Sequence, residues 1–175
     1  MRALISAMKT RLTFSLLLLF AITTSIVAQA GPKKPRELAD YTPRTLNEIS
    51  KLQGPSAEPF NMNVVIQGEI FPTRVRVVYE FTSRAVSTST KNAIAAWANR
   101  YAGAPETYTG PYQREVAFRE NGQKYWLAVR KEFLTRFEEE LKKGDTVDLY
   151  LIKLGSARNG NKWEPVLLVE KFLKP

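Results

Sequence analysis

The sequence contains neither cysteine nor histidine. Without thiols no disulfide can brace the fold, so a core of ordinary apolar side chains has to hold it. Without imidazole the Ser-His-Asp and Cys-His constellations, the HExxH zinc site and the usual proton shuttle near neutral pH are all excluded. Chemistry would fall to carboxylates, lysines, tyrosines or serines. No DxDxDG-like run is present to hold a hard cation, so no metal and no cofactor are expected, and no DNA-binding motif occurs.

What is present at the amino terminus reads as an address. Arg2, Lys9 and Arg11 precede an apolar run around Leu16–Ile22, and Val27-Ala28-Gln29-Ala30 places small residues where a signal peptidase cuts. That order is the order of a secretory signal peptide over residues 1–30, with cleavage after Ala30 and a periplasmic or extracellular destination. The rival reading is an uncleaved anchor over Leu12–Ala30, diluted by Thr13, Ser15, Thr23, Thr24 and Ser25; it would give the chain its one membrane contact. No cysteine follows the apolar run, which excludes a lipid-anchored lipoprotein. Three of the 26 basic residues and none of the 17 acids lie in residues 1–30, so the remainder carries 23 minus 17, or +6. A balance of that size favours acidic partners and is also an ordinary aid to solubility.

The region Gln113–Gly144 organises the rest. Asn121-Gly122 supplies two positive-φ positions for a type I′ turn, and apolar residues alternate on both sides of it. A two-residue turn sets Phe118 opposite Tyr125, Val116 opposite Leu127 and Arg114 opposite Val129, so that both apolar sets share a face. A helix over about Glu132–Lys143 follows, with Phe133, Phe137 and Leu141 on its buried side and Gly144 ending it. Glu138, Glu139 and Glu140 fan around that helix and read as a solvated side, not as a metal cluster.

Residues 31–59 read as a proline-punctuated arm, a short helix with Thr42 as N-cap and Pro43 in its first turn, and a linker after Gly54. Its apolar face would be Leu46, Ile49 and Leu52. Residues 60–175 read as one domain. Met62–Phe71 is expected as a strand, and Val75, Val77, Tyr79 and Phe81 as its antiparallel neighbour, setting Ile70 against Val75 and Glu69 against Arg76. A helix over Lys91–Ala102 would present Ile94, Trp97, Ala98 and Tyr101 to the core, and Tyr108 and Tyr112 would pin the following loop. Thr146–Leu154 is apolar on both faces and so should be central. After the loop Ser156–Lys162, a final strand Trp163–Leu173 returns, with Pro165 at an edge or near its start.

The expected class is α+β: a strongly twisted antiparallel sheet or small OB-like barrel of about six strands with two or three helices, preceded by the signal peptide. In element order alone, Gln113–Leu173 resembles the later strands of oligonucleotide- or oligosaccharide-binding barrels, which carry a helix between their third and fourth strands.

One constellation points to a ligand. Arg119 and Lys124 pair across the hairpin, Ala117 lies opposite Trp126, and Arg130 follows on the face away from Phe118. A tryptophan ringed by Arg119, Lys124 and Arg130 is suited to stacking a ring beside an anion; the same pattern arises where a helix covers Trp126 and basic stems cover its rim. The expectation is a non-enzymatic exported binding or interaction module, for an anionic polymer, an envelope component or a protein partner. Two alternatives stand beside it. One is a carboxylate-dependent hydrolase using Glu69 and Glu115; the other is a structural piece of an envelope assembly docking through a sheet edge near Pro165.

Overall fold

Asn121 and Gly122 adopt φ of 48° and 81°, and the turn they make joins β5 (Arg114–Glu120) to β6 (Gln123–Val129). The register is the one the turn dictates: Phe118 meets Tyr125, Val116 meets Leu127, Arg114 meets Val129 and Ala117 meets Trp126. The structure is a computed structural model that describes residues 36–52, 57–103 and 105–175. The signal peptide with its cut after Ala30, the start of the arm at 31–35, and residues 53–56 with the helix stop at Gly54 lie outside the described residues. Arg36–Pro175 forms one compact unit, and none of the described helices is long and apolar enough to cross a membrane.

Among the described residues the architecture is α+β, with four helices and one mixed sheet of eight strands. Six other strands join the hairpin: β1 (Thr42–Pro43), β2 (Glu58–Asn61), β3 (Val64–Ile66), β4 (Thr73–Ala85), β7 (Thr146–Asn159) and β8 (Lys162–Leu173). Their order is β1-β4-β5-β6-β8-β7-β3-β2, and β4 also pairs with β7. The pairings therefore run round a ring, β4 to β5, β6, β8, β7 and back to β4. Two of the contacts, β1 with β4 and β6 with β8, are parallel. The expected six-stranded antiparallel sheet is thus corrected to eight strands of mixed direction. The two extra strands, β1 and β2, are two and four residues long, too short to carry a period-2 signal.

Three local expectations are corrected as well. The stretch Met62–Phe71 is not one strand: Met62 lies in an exposed turn, and only Val64–Ile66 is paired, to β2 and β7. Hence β3 does not pair with β4, and Arg76 meets Asp148 across β7, Nε to Oδ1 at 2.7 Å, instead of Glu69. The first helix, α1 (Leu46–Lys51), starts three residues late because Thr42 and Pro43 are engaged beside β4. Its N-cap is Thr45, in a capping box with Glu48. The loop before the last strand shrinks to a tight turn, since Asn159 pairs with Lys162.

The ring interior is filled by Val75, Val77 and Tyr79 of β4, Phe118 of β5, Leu127 and Val129 of β6, Leu149 and Leu151 of β7, and Val169 and Phe172 of β8. Leu46 and Ile49 of α1 enter this core at one end. Phe137 and Leu141, on and just after α4 (Lys131–Glu140), enter at the other, where Phe137 packs 5.7 Å from Tyr79 and 4.5 Å from Phe172 between ring centres. A second apolar layer lies outside the ring. There α2 (Thr88–Trp97), capped by Ser87 and extended by a wide turn to Gly103, lays Ala93, Ile94 and Trp97 over Ile152, Leu154, Leu168 and Ala128. This is why β7 is apolar on both faces. The segment between Gly103 and β5 contains a short helix, α3 (Glu106–Thr109); Tyr108 sits edge-on to Trp97 at 5.2 Å and Tyr112 is buried.

Candidate functional site

Between β6 and β8 the ring is barely stitched: Ala128 pairs with Leu168 and Val129 with Val169, and no other β6 residue has a β8 partner. The first part of β8 therefore stands away from Gln123–Leu127. The resulting seam is a groove of about 300 Å³, walled by Lys124, Tyr125 and Trp126 on one side and Lys162, Trp163, Glu164 and Pro165 on the other. Pro165 costs nothing there, because its outer edge has no strand to bond.

The four residues singled out by the hairpin register are separated by this geometry. Lys124 and Trp126 line the seam. Arg119 is engaged with Glu80, Nε to Oε1 at 2.8 Å and Nη2 to Oε2 at 3.1 Å; this hydrogen-bonded pair holds the Glu80 carboxyl below its ordinary value. Arg130 precedes α4 and lies 2.8 Å from Glu132. Trp126 is half-buried. Arg84 of β4 lies over it, its guanidinium 4.3 Å from the ring centre, with the Lys124 ammonium at 5.7 Å.

Arg84 ties this face together. Its Nε donates to Glu115 Oε2 at 2.6 Å, and Thr90 Oγ1 of α2 donates to Glu115 Oε1 at 3.3 Å. Arg84 Nη2 also lies 3.6 Å from Glu164, which accepts from Asn159 Nδ2 at 2.7 Å. Burial raises the Glu115 carboxyl against the opposing pull of Arg84. Glu115 is thus committed to anchoring α2 on the sheet, while Glu69 lies in the exposed bend after β3; neither lines the grooves described here. Among the described residues no group of three His, Cys, Asp or Glu side chains could hold a metal ion.

A second, larger cavity of about 450 Å³ adjoins the seam, sharing Ser50, Trp163 and Pro165 with it. Its floor holds Lys153, only 2% exposed in β7. The ammonium donates to the carbonyls of Ile49 and Ser50 at 3.2 Å and of Leu52 at 2.5 Å, at the carboxyl end of α1, where a helix dipole favours a cation. Desolvation by burial pushes its pKa down to about 8. Gln67, also 2% exposed, donates from Nε2 to Leu52 O at 3.3 Å while its Oε1 has no partner. Trp163 stands at the rim, 51% exposed.

Sequence reasoning missed Lys153, Gln67 and Trp163. The one available signal was a lone lysine inside an otherwise apolar central strand, where an ammonium has to find carbonyls or an acid. Trp163 was visible only as a strand residue, because its place at the rim depends on the separation of β8 from β6. No protein-family model matches the chain. No curated protein matches it either.

Proposed function

We propose that this chain is an exported, non-enzymatic binding module whose ligand is an anionic polymer held along the seam between β6 and the start of β8. The observation that carries the reading is that two indoles, Trp126 and Trp163, and two ammonium groups, Lys124 and Lys162, line one open groove. Exposed aromatic faces give a repeating polymer something to stack on, and the cations attract its charge. Trp163 is the better platform, since Arg84 already occupies one side of Trp126. The amino-terminal sequence supports export, and the absence of histidine and cysteine supports a role in binding over catalysis.

The ring's connectivity supports an OB-like reading of the fold. Its five strands are β4, β5, β6, β7 and β8 in chain order, and α4 lies between the third and fourth. Such barrels bind oligonucleotides or oligosaccharides, and the likeness supports a polymer ligand by analogy alone.

The test is fluorescence quenching while an acidic polysaccharide and a single-stranded oligonucleotide are titrated at low and moderate salt. Quenching should be salt-sensitive, with a slope of log K on log salt of roughly −1.4 if the two cations Lys124 and Lys162 are neutralised. It should fall by at least half in Trp163→Phe. Absence of quenching by either polymer at low salt overturns the proposal.

A further inference from the structure

We infer that the cavity behind Trp163 receives one carboxylated sugar unit, so that the polymer in the seam is an acidic polysaccharide and not a nucleic acid. The inference rests on the anionic-polymer reading of the seam and adds the chemistry of the repeating unit.

Three properties of the cavity define its guest. The first is an acceptor: Gln67 is almost wholly buried, its Nε2 is engaged with Leu52, and its Oε1 has no partner. A buried acceptor left empty is costly, and a ligand hydroxyl donating to it recovers that cost. The second is a charge. Lys153 spends its three N–H bonds on the carbonyls of Ile49, Ser50 and Leu52, and no carboxylate is bonded to it. It therefore offers a guest no hydrogen bond but a positive charge with no carboxylate bonded to it among the described residues, and that charge attracts an anion entering the cavity. The third is an apolar wall: the Trp163 indole and Pro165 at the rim, with Leu52 and Val65 within.

A hydroxyl donor, one negative charge and one flat apolar side together describe a pyranose bearing a carboxylate. The indole packs on the sugar's C–H face, Gln67 takes a hydroxyl, and the carboxylate sits in the field of Lys153. The volume, about 450 Å³, lies in the range of sites for small molecules and leaves room for such a unit. The cavity opens on the seam through Ser50, Trp163 and Pro165, so a unit inside it stays continuous with a chain running along β6. An oligonucleotide fits less well. Its charge is carried on the diester outside any base that enters, which leaves Lys153 uncompensated.

The experiment is calorimetric titration of the protein with a short hexuronate oligosaccharide, a neutral oligosaccharide of the same length, and an oligothymidylate. The uronate should bind at least about tenfold more tightly than the neutral sugar, and Gln67→Leu should lose about tenfold of uronate affinity, the loss of one buried hydrogen bond, with little change for oligothymidylate. Lys153→Met should abolish the preference for uronate over neutral sugar. Gln67→Leu keeps the test intact if the Lys153 variant fails to fold, because it leaves the ammonium and its three carbonyls in place. Equal affinity for uronate and neutral sugar, or uronate affinity unchanged in Gln67→Leu, overturns this inference and leaves the seam reading standing if either polymer still binds. No binding by any of the three overturns both.

Discussion

Glu120 and Lys153 hold opposite ends of the same six-residue helix. The Glu120 carboxylate accepts from Leu46 N at 2.8 Å and Asn47 N at 3.3 Å, while the Lys153 ammonium donates to Ile49 and Ser50 carbonyls at the far end. Each charge sits where the aligned peptide dipoles favour it. Both come from ring strands or their ends, so a helix too short to be stable alone is fixed across one end of the ring by hydrogen bonds at both termini as well as by Leu46 and Ile49.

Removing the carboxylate should loosen that attachment. Glu120→Ala leaves the buried Leu46 N–H without an acceptor and is expected to cost about 2 kcal/mol in urea unfolding; Glu120→Gln, which keeps an acceptor, should cost roughly half as much. Equal losses for the two variants would mean that charge and hydrogen bonding at the helix start matter less than packing.

The ammonium at the other end makes stability depend on alkaline pH. An unfolded lysine titrates near 10.5 and Lys153 in the folded protein near 8. Across that window the unfolded chain holds a proton that the folded chain has released, so stability rises with pH, by about 3 kcal/mol at most. Tyr41 and Tyr112 act in the opposite sense above pH 10. Burial raises both phenols, aided at Tyr41 by the Glu170 carboxylate 2.6 Å away, so the unfolded chain ionises first and stability falls. Thermal unfolding should show a maximum between about pH 9 and 10, and the rise from pH 8 should vanish in Lys153→Met.

Gly155 is the point at which β3 reaches β7. Its φ is 150°, and an added Cβ would overlap the Val65 carbonyl oxygen and lie 2.9 Å from Ile66 Cα. Gly155→Ala is therefore expected to displace β3, at a cost of about 2–3 kcal/mol. Amide exchange should accelerate selectively at Val64–Ile66 and at Gln67, whose N–H bonds to Leu154 O.

Arg84→Met should expose the debt that Glu115 carries. With the guanidinium gone, burial raises the carboxyl further, and the folded state holds a proton that the unfolded state has lost above the ordinary carboxylate range. The deficit relative to wild type should be small near pH 4.5 and grow to about 3 kcal/mol at neutral pH. Glu115→Gln in the same background should remove the pH dependence; persistence of the slope would assign it elsewhere.

The parts of this fold that were legible in the sequence are those fixed by local chemistry. Asn121-Gly122 determines its hairpin because two positive-φ residues leave one register, and β7 reads as central because Leu149 and Ile152 demand cover on both sides. The rest depends on what arrives from far away. Thr42 looks like a cap until β4 bonds the backbone beside it, and Glu69 looks like the partner of Arg76 until Asp148 arrives from 72 residues downstream. At the candidate site, Lys124 and Trp126 were visible on one strand. Lys153, Gln67 and Trp163 were not, because the cavity they share is made by the meeting of α1, β3, β7 and β8, and no stretch of sequence contains more than one of its walls.

Closure of the ring has a consequence for how the chain comes into being. The first half of β4, Thr73–Val78, pairs along its whole length with Thr146–Leu151, while its second half pairs with β5. A nascent chain that has emerged as far as α4 already owns the β4-β5-β6 sheet, yet carries a long bare edge along Val75 and Val77 whose mate is still unmade. Interruption before Thr146 leaves a sticky template, not a smaller domain. Residues 146–175 are therefore what covers the β4 edge and removes that template from an aggregation-prone intermediate.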